Sequence, residues 1–100
     1  MTQQEEYTQY AVLARLEFQG QNPQELIAKW GDIEQQCEEI GVSIEGSYAV
    51  LGEYDFLVLI DAPSRERVFQ ASLIMGREDL VTQTMPIVPT DLFGDMVRDR

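Results

Sequence analysis

Residues 42–60 read VSIEGSYAVLGEYDFLVLI, and this stretch decides the fold. Two runs rich in aliphatic, aromatic and β-branched residues, 42–51 and 54–60, are separated only by Gly52 and Glu53. Two strand-forming runs joined by a two-residue connection that begins with glycine are typical of a β-hairpin with a type II′ turn. The stretch therefore predicts two consecutive antiparallel strands in the middle of the chain.

The segment before the hairpin predicts one strand and one helix. Residues 10–18 alternate so that Val12, Leu16 and Phe18 share one face of a strand. Spacings of four and three then place a second set of apolar residues in one stripe along a helix. This stripe consists of Leu26, Trp30, Ile33, Cys37 and Ile40.

Capping residues mark the ends of two helices. Asn22 and Glu25 form the capping-box pattern at the start of the first helix, and Gly41 is placed to end it. Ser64 is a second N-cap, and it precedes a helix to about residue 75 that Gly76 is expected to close. The signals therefore predict one helix before the hairpin and one after it.

The remaining residues complete the order of elements. Residues 79–88 are expected to form a fourth strand, and residues 92–97 a short C-terminal helix. Strand, helix, two strands, helix and strand make the βαββαβ arrangement of ferredoxin-like α+β folds. Right-handed crossovers place the first and third strands at the centre of an antiparallel four-stranded sheet. We expect a polar N-terminal arm over residues 1–9 and a single domain over residues 10–98.

The composition excludes several kinds of chemistry. The 100 residues contain no histidine, which removes imidazole catalysis and the commonest metal ligand, and one cysteine, which excludes an intrachain disulfide. There is no phosphate-binding glycine loop, nucleophile elbow or catalytic triad, so we expect no metal and no cofactor. Whether the chain is an enzyme stays open, but the residues lean against it.

The charge balance argues against two classes of partner. Eighteen acidic and seven basic residues give a net charge of −11, which disfavours nucleic acid and an anionic membrane surface. No apolar run approaches the ~18 residues of a membrane span, and the acidic residues 1–6 do not resemble a signal peptide. We therefore expect a cytoplasmic protein, with an acidic surface that fits either a high-salt cytoplasm or ordinary solvation.

The third predicted strand is apolar on both faces, because residues 56–60 read FLVLI. A strand of this kind is buried on both sides of its sheet. Two helices cover only one face of a four-stranded sheet, and residues 92–97 are too few to cover the other. We therefore expect a homodimer or higher oligomer in which the sheets of two copies pack face to face.

Several short motifs, taken in their order and spacing, resemble the GYD domain family. They are LGEYD at residues 51–55, the aromatic Tyr48 before the hairpin, DAP at residues 61–63, and a later series of Ala71, Gly76, TQTM at residues 82–85, and Pro89. The resemblance covers residues 10–97. It departs from the family at Pro86, where a basic or polar residue is common. Because proline lacks a backbone donor, the fourth strand should be an edge strand.

The resemblance implies a dimeric α/β barrel, and it implies little about activity because GYD domains are mostly without an assigned one. Within the motif, Gly52 is expected to supply a positive φ in the turn. Tyr54, which alternation places on the side opposite Asp55, is expected to be a core or hairpin aromatic.

The candidate ligand-binding residues are Arg15, Tyr48 and Asp55. If residue 51 pairs with residue 54, Tyr48 and Asp55 share the face turned away from the helices, and Arg15 comes near Asp55 on that face. A guanidinium, a phenol and a carboxylate among leucines are able to bind a small polar molecule in an apolar cleft. The alternative is a structural ion pair between Arg15 and Asp55 at a subunit interface.

Three functions are compatible with these residues. The first is an oligomeric module that binds or senses a small polar molecule in a cleft between sheet faces. The second is a small cofactor-independent enzyme, similar to the monooxygenases of the dimeric α/β barrel group, with Tyr48 or Asp55 as the reacting acid or base. The third is a purely structural assembly protein whose interface encloses no cavity.

Overall fold

The computed structural model describes residues 8–17 and 23–98. Its elements, in chain order, are β1 (Gln9–Leu16), α1 (Pro23–Glu39), β2 (Ser43–Ala49), β3 (Phe56–Asp61), α2 (Arg65–Arg77), β4 (Leu80–Pro86) and α3 (Thr90–Arg98). The predicted ferredoxin-like βαββαβ order is therefore confirmed, with α3 appended to it. The predicted N-cap Asn22, the predicted strand residue Phe18 and residues 1–7 of the N-terminal arm lie outside the described residues.

The four strands form one antiparallel sheet in the order β2-β3-β1-β4. The central places of β1 and β3 are as predicted, and β2 and β4 lie at the edges. Pro86 ends β4 opposite Tyr10 of β1. Because β4 is an edge strand, as the sequence predicted, the missing N–H of Pro86 is tolerated there.

The helices α1 and α2 cover one face of the sheet, and the hydrophobic core lies between the two layers. Side chains from the helices include Ile33, Cys37, Val68, Ala71, Ile74 and Met75, and those from the sheet include Val12, Ala14, Val58, Ile60 and Leu80. At one end of this core, the rings of Trp30 and Phe56 meet edge to face, with centroids 5.2 Å apart. The predicted apolar stripe of the first helix is thus confirmed as a core face.

The opposite face of the sheet, which we call the open face, is not covered by α1 or α2. Both of these helices lie on the other side, and no residue of α3 belongs to the core or to the residues packed against it. The expectation that the C-terminal helix leaves this face uncovered stays a prediction. No helix in the described ranges is long and apolar enough to cross a bilayer.

The hairpin has the predicted register but a longer connection. Tyr48 pairs with Leu57, which is the register that follows from pairing residue 51 with residue 54. The ladder nevertheless ends at Ala49 and Phe56, so residues 50–55 replace the predicted two-residue type II′ turn. Asp55 lies at the end of the ladder: its N–H donates to the carbonyl of Ala14 in β1 at 2.8 Å, and its carbonyl accepts from the N–H of Val50 at 2.9 Å in the same register. Gly52 has a φ of 143°, which confirms the predicted positive φ there.

The ends of the helices are partly as predicted. Gly41 follows α1 with a φ of 81°, and the Ser64 hydroxyl accepts from the N–H of Arg67 as the N-cap of α2. Gly76 does not close α2, because the helix continues to Arg77. The left-handed residue is Asp79, with a φ of 70°, and aspartate is one of the few residues other than glycine that adopt this conformation readily.

Candidate functional site on the open face

The open face has an apolar centre and polar groups at one end. The orientation of β4 follows from Thr84, whose hydroxyl lies 3.2 Å from that of Ser72 in α2, so that Gln83 points away from the helices. Alternation and strand register then assign to the open face Ala11, Leu13 and Arg15 from β1, Tyr48 from β2, Leu57 and Leu59 from β3, and Val81, Gln83 and Met85 from β4.

Arg15 and Asp55 lie together in one groove at the polar end of this face. The groove has a volume of about 440 Å³ and is lined by these two residues with Leu16, Glu17, Gly52, Glu53 and Val81. The N–H of Leu16 donates to Asp55 Oδ2 at 2.9 Å, which holds the carboxylate against the backbone of β1. The structure therefore brings together two of the three candidate residues.

The alternative of an ion pair between Arg15 and Asp55 is not realised. Ion pairs in the described part of the chain include those of Lys29 with Glu78 and Asp79, and that of Arg98 with Asp95. The guanidinium of Arg15 instead lies over the ring of Tyr54, 5.9 Å from its centroid. The carboxylates of the groove therefore leave the charge of Arg15 without a direct anionic partner, and the ring supplies a weaker cation–π attraction.

Tyr54 lies on the open face, so its predicted place on the opposite side is wrong. Its hydroxyl donates to Gln83 Oε1 at 2.7 Å, and the side chain thus reaches from the hairpin connection across β1 to β4. Strand alternation does not apply to Tyr54, because residues 50–55 lie outside the regular ladder. Tyr54 therefore joins Arg15 and Asp55 at the polar end of the face.

Tyr48 is on the open face, as predicted, but it does not line the groove. Its side chain is 53% exposed, and its ring lies next to Gly46, two residues earlier in β2. A Cβ added to Gly46 would lie 2.9 Å from Tyr48 Cε1 and 3.0 Å from its hydroxyl oxygen, closer than such contacts occur. The absence of a side chain at Gly46 is therefore what allows the Tyr48 ring to lie along the sheet.

The groove carries charges of both signs. Glu17, Glu53 and Asp55 supply carboxylates, and Arg15 supplies a guanidinium. Such a wall complements a small molecule that has a cationic and an anionic end, because each end meets an opposite charge. The described residues contain no group of three or more side chains of the metal-ligating types placed to hold a metal ion.

Comparison with known proteins agrees with the motifs around this groove. The family model of the GYD domain matches residues 10–97, which include Gly52, Tyr54 and Asp55. The chain belongs to the GYD domain family. The residues that give the family its signature therefore line or border the groove in this GYD domain. No curated protein matches the sequence.

A solved structure supports the fold of this GYD domain. It is similar to the crystal structure of the leucine response regulatory protein LrpA of Mycobacterium tuberculosis, with a TM-score of 0.57. The sequence identity is 18%, and the match covers 81% of this chain and 50% of that one. At this identity the likeness shows the fold alone, and the chain matches half the length of the regulatory protein.

Sequence reasoning missed Gly46, Gln83 and the orientation of Tyr54. A signal for Gly46 was present, because residues two apart in a strand share a face and a glycine beside Tyr48 leaves room for the ring. The bond between Tyr54 and Gln83 joins residues 29 positions apart through an irregular connection, and no local spacing in the sequence reveals it.

Proposed function

We propose that this GYD domain is a homo-oligomeric module that binds a small polar molecule where the open faces of two copies meet. The observation that carries the proposal is the open face itself, with polar groups gathered at one end of an apolar sheet surface. Arg15 and Asp55 would contact the ligand directly, and Tyr48 would present its hydroxyl from the neighbouring part of the face.

The apolar part of the open face supports an association of two sheets. Leu13, Leu57 and Leu59 lie side by side in the two central strands, and they are only partly buried in one copy. Packing this surface against the same surface of a second copy removes apolar area from water at about 25 cal/mol per Å². A two-fold axis satisfies the requirement, because each copy then presents the same patch to the other.

The polar part supports ligand binding over a closed structural contact. The groove of about 440 Å³ offers space for a metabolite of modest size, whereas a purely structural interface has no need of it. Its mixed charges favour a zwitterion, of which a free amino acid is the simplest example. The similar regulatory protein is named for a leucine response, which makes amino acids the first probes to use.

The bonds already made within the site favour binding over catalysis. Asp55 accepts the N–H of Leu16 and so supports the backbone of β1, and the exposed Tyr48 does not line the groove. A general acid or base must instead direct its reactive atom at a substrate. We therefore place the enzyme alternative second.

Native mass spectrometry of the protein purified from its own cells tests the proposal. We expect a dimer or larger species that carries extra mass and loses it on denaturation. Calorimetric titration with a panel of amino acids then compares Arg15→Ala, Tyr48→Phe and Asp55→Asn with the unaltered protein. Asparagine retains an oxygen that accepts the N–H of Leu16, so Asp55→Asn changes the charge while it keeps this bond.

Two control variants make the result specific. Tyr10→Phe removes a hydroxyl from the helix-covered side, and Glu66→Gln removes an exposed charge from α2. We expect both to bind as the unaltered protein does, while the three site variants lose affinity and keep the oligomer. A monomer under all conditions would contradict the proposed interface, and an oligomer that binds nothing would assign these residues to architecture.

A further inference from the structure

We propose that α3 docks onto α2 of a second copy, in a contact between copies that does not use the open face. This inference goes beyond the ligand site and does not depend on it. It rests on two apolar helix faces that are exposed in the described part of one chain.

The first of these faces belongs to α3. Its apolar side chains fall on one side of the helix: Leu92, Phe93, Met96 and Val97. Phe93 is 58% exposed and Val97 is 55% exposed, and no residue of α3 is buried. A nine-residue helix is marginal in water on its own. Because the large apolar side chains of α3 are exposed in one copy, a partner surface that covers them would stabilise this helix.

The second face belongs to α2. Phe69 and Leu73 lie one turn apart on its solvent side, 65% and 64% exposed, while Val68, Ala71 and Met75 on the other side enter the core. Two large apolar side chains that adjoin each other on a helix exterior are a common mark of an interaction surface. The exposed Phe69 and Leu73 thus form an apolar surface against which the exposed side chains of α3 are able to pack.

Length and charge match between the two helices. Nine residues of α3 span about 14 Å, and the thirteen residues of α2 span about 20 Å, so α3 is short enough to lie along α2. Arg65 and Arg77 stand one turn beyond Phe69 and Leu73 at either end. The acidic Asp91 and Asp95 lie along one edge of the α3 apolar face, and Asp91 is available to an arginine of α2 whereas Asp95 already pairs with Arg98.

The net charge of the chain favours this particular place for a second copy. With a net charge of −11, most approaches between two copies are repulsive. The helix α2 holds Arg65, Arg67 and Arg77, three of the seven basic residues, against one acidic residue, Glu66, and its net positive charge therefore favours an acidic partner. The same acidic residues make α3 a poor ligand for an anionic membrane.

Cysteine cross-linking between two separate variants tests the contact. Leu73→Cys and Val97→Cys leave Phe69 and Phe93 in place, and the native Cys37 is buried and gives little background. The two variants are mixed and oxidised, and the mixed disulfide is measured. We expect it to form at least about tenfold faster than in a mixture of Ile27→Cys and Val97→Cys, because docking raises the local thiol concentration. Ile27 is an exposed control residue on α1.

A second variant tests the same contact without cysteines. Phe93→Ser with Val97→Ser removes the α3 anchors and touches no core residue, so the domain should keep its circular dichroism spectrum. In native mass spectrometry we expect an assembly of fewer copies than the unaltered protein forms. Ligand binding at the groove of Arg15 and Asp55 should persist. Equal cross-linking with the Ile27→Cys control, or an unchanged mass, would overturn the inference. Loss of ligand binding with normal cross-linking would instead count against the proposed function alone.

Discussion

The two faces of the sheet differ although the same strands supply both. On β3, Val58 and Ile60 are buried under the helices, whereas Leu57 and Leu59, the residues between them, are only partly covered on the open face. The covered face explains why the chain folds, because burial there involves α1 and α2 of the same copy. The open face has an apolar surface of similar character that neither α1 nor α2 covers, and the proposed association and ligand binding rest on it.

The largest expected effect separates these two faces directly. Ile60→Ala should lower the free energy of unfolding by about 2–5 kcal/mol, because it leaves a cavity in the core. Leu59→Ala removes a similar side chain from the open face and should cost much less in a dilute, monomeric sample. Urea unfolding at micromolar concentration measures both changes.

The dependence of stability on protein concentration distinguishes the same two variants further. If the open face is an interface, the unfolding midpoint of the unaltered protein rises with concentration, and Leu59→Ala weakens that dependence. Ile60→Ala should keep this concentration dependence and lower the unfolding midpoint at every concentration. Equal losses from the two variants at every concentration would show that the two faces are buried alike and would remove the distinction between them.

A smaller loss of stability is expected from substitution of Lys29, the single lysine, which connects α1 to the turn before β4. The ammonium of Lys29 in α1 donates to Asp79 Oδ2 at 3.0 Å and to the carbonyl of Glu78 at 3.4 Å, in the turn before β4. Lys29→Met should destabilise the fold by about 1–2 kcal/mol, because these partly buried charged bonds are lost. Arg98→Met breaks an exposed pair in α3 and should change thermal stability by less than about 0.5 kcal/mol. A similar melting shift in both variants would argue against the role of Lys29.

Most of the fold was predictable because the covered face obeys simple periodicities. The α1 stripe of Ile33 and Cys37, the edge position of Pro86 and the pairing of Tyr48 with Leu57 all follow from local spacing and order. Each of these features depends on residues in one regular element or in two neighbouring strands. The chain thus contains, within short segments, the information that places these features.

The candidate site was predictable only in part because it lies where the regular ladder ends. Arg15 and Asp55 were placed together correctly from strand register, but the side of Tyr54 was wrong since residues 50–55 leave the ladder. The helix end at Asp79 was missed for a related reason. Asp79, and not Gly76, adopts the left-handed conformation after α2, and its carboxylate accepts a hydrogen bond from Lys29 of α1. These two residues are 50 positions apart, so local sequence does not reveal the bond.

Two glycines give a matched pair of smaller effects, one in each layer. Gly31 lies in the middle of α1 with no atom within 4 Å of an added Cβ, so Gly31→Ala should stabilise the fold by about 1 kcal/mol. Gly46→Ala places its methyl group against the Tyr48 ring and should lift that ring from the sheet. We expect the second variant to impair ligand binding and open-face association more than it changes stability. Calorimetric titration and native mass spectrometry measure this, and unchanged ligand binding with an unchanged oligomeric state would contradict it.

The smallest effect concerns Cys37 and is absent at neutral pH. Burial raises the pKa of this thiol above its ordinary value of 9.0, because desolvation disfavours the thiolate. The thiol is then neutral in both the folded and the unfolded chain at pH 7, and it gives no pH dependence there. Above about pH 9 the unfolded chain ionises first, so stability falls as pH rises towards the folded pKa. Cys37→Ala lacks this loss, and its unfolding free energy should decline less between pH 8 and pH 10.5 than that of the unaltered protein. Parallel curves for the two proteins would mean that solvent reaches the thiol and that the covered face is less closed than its packing indicates.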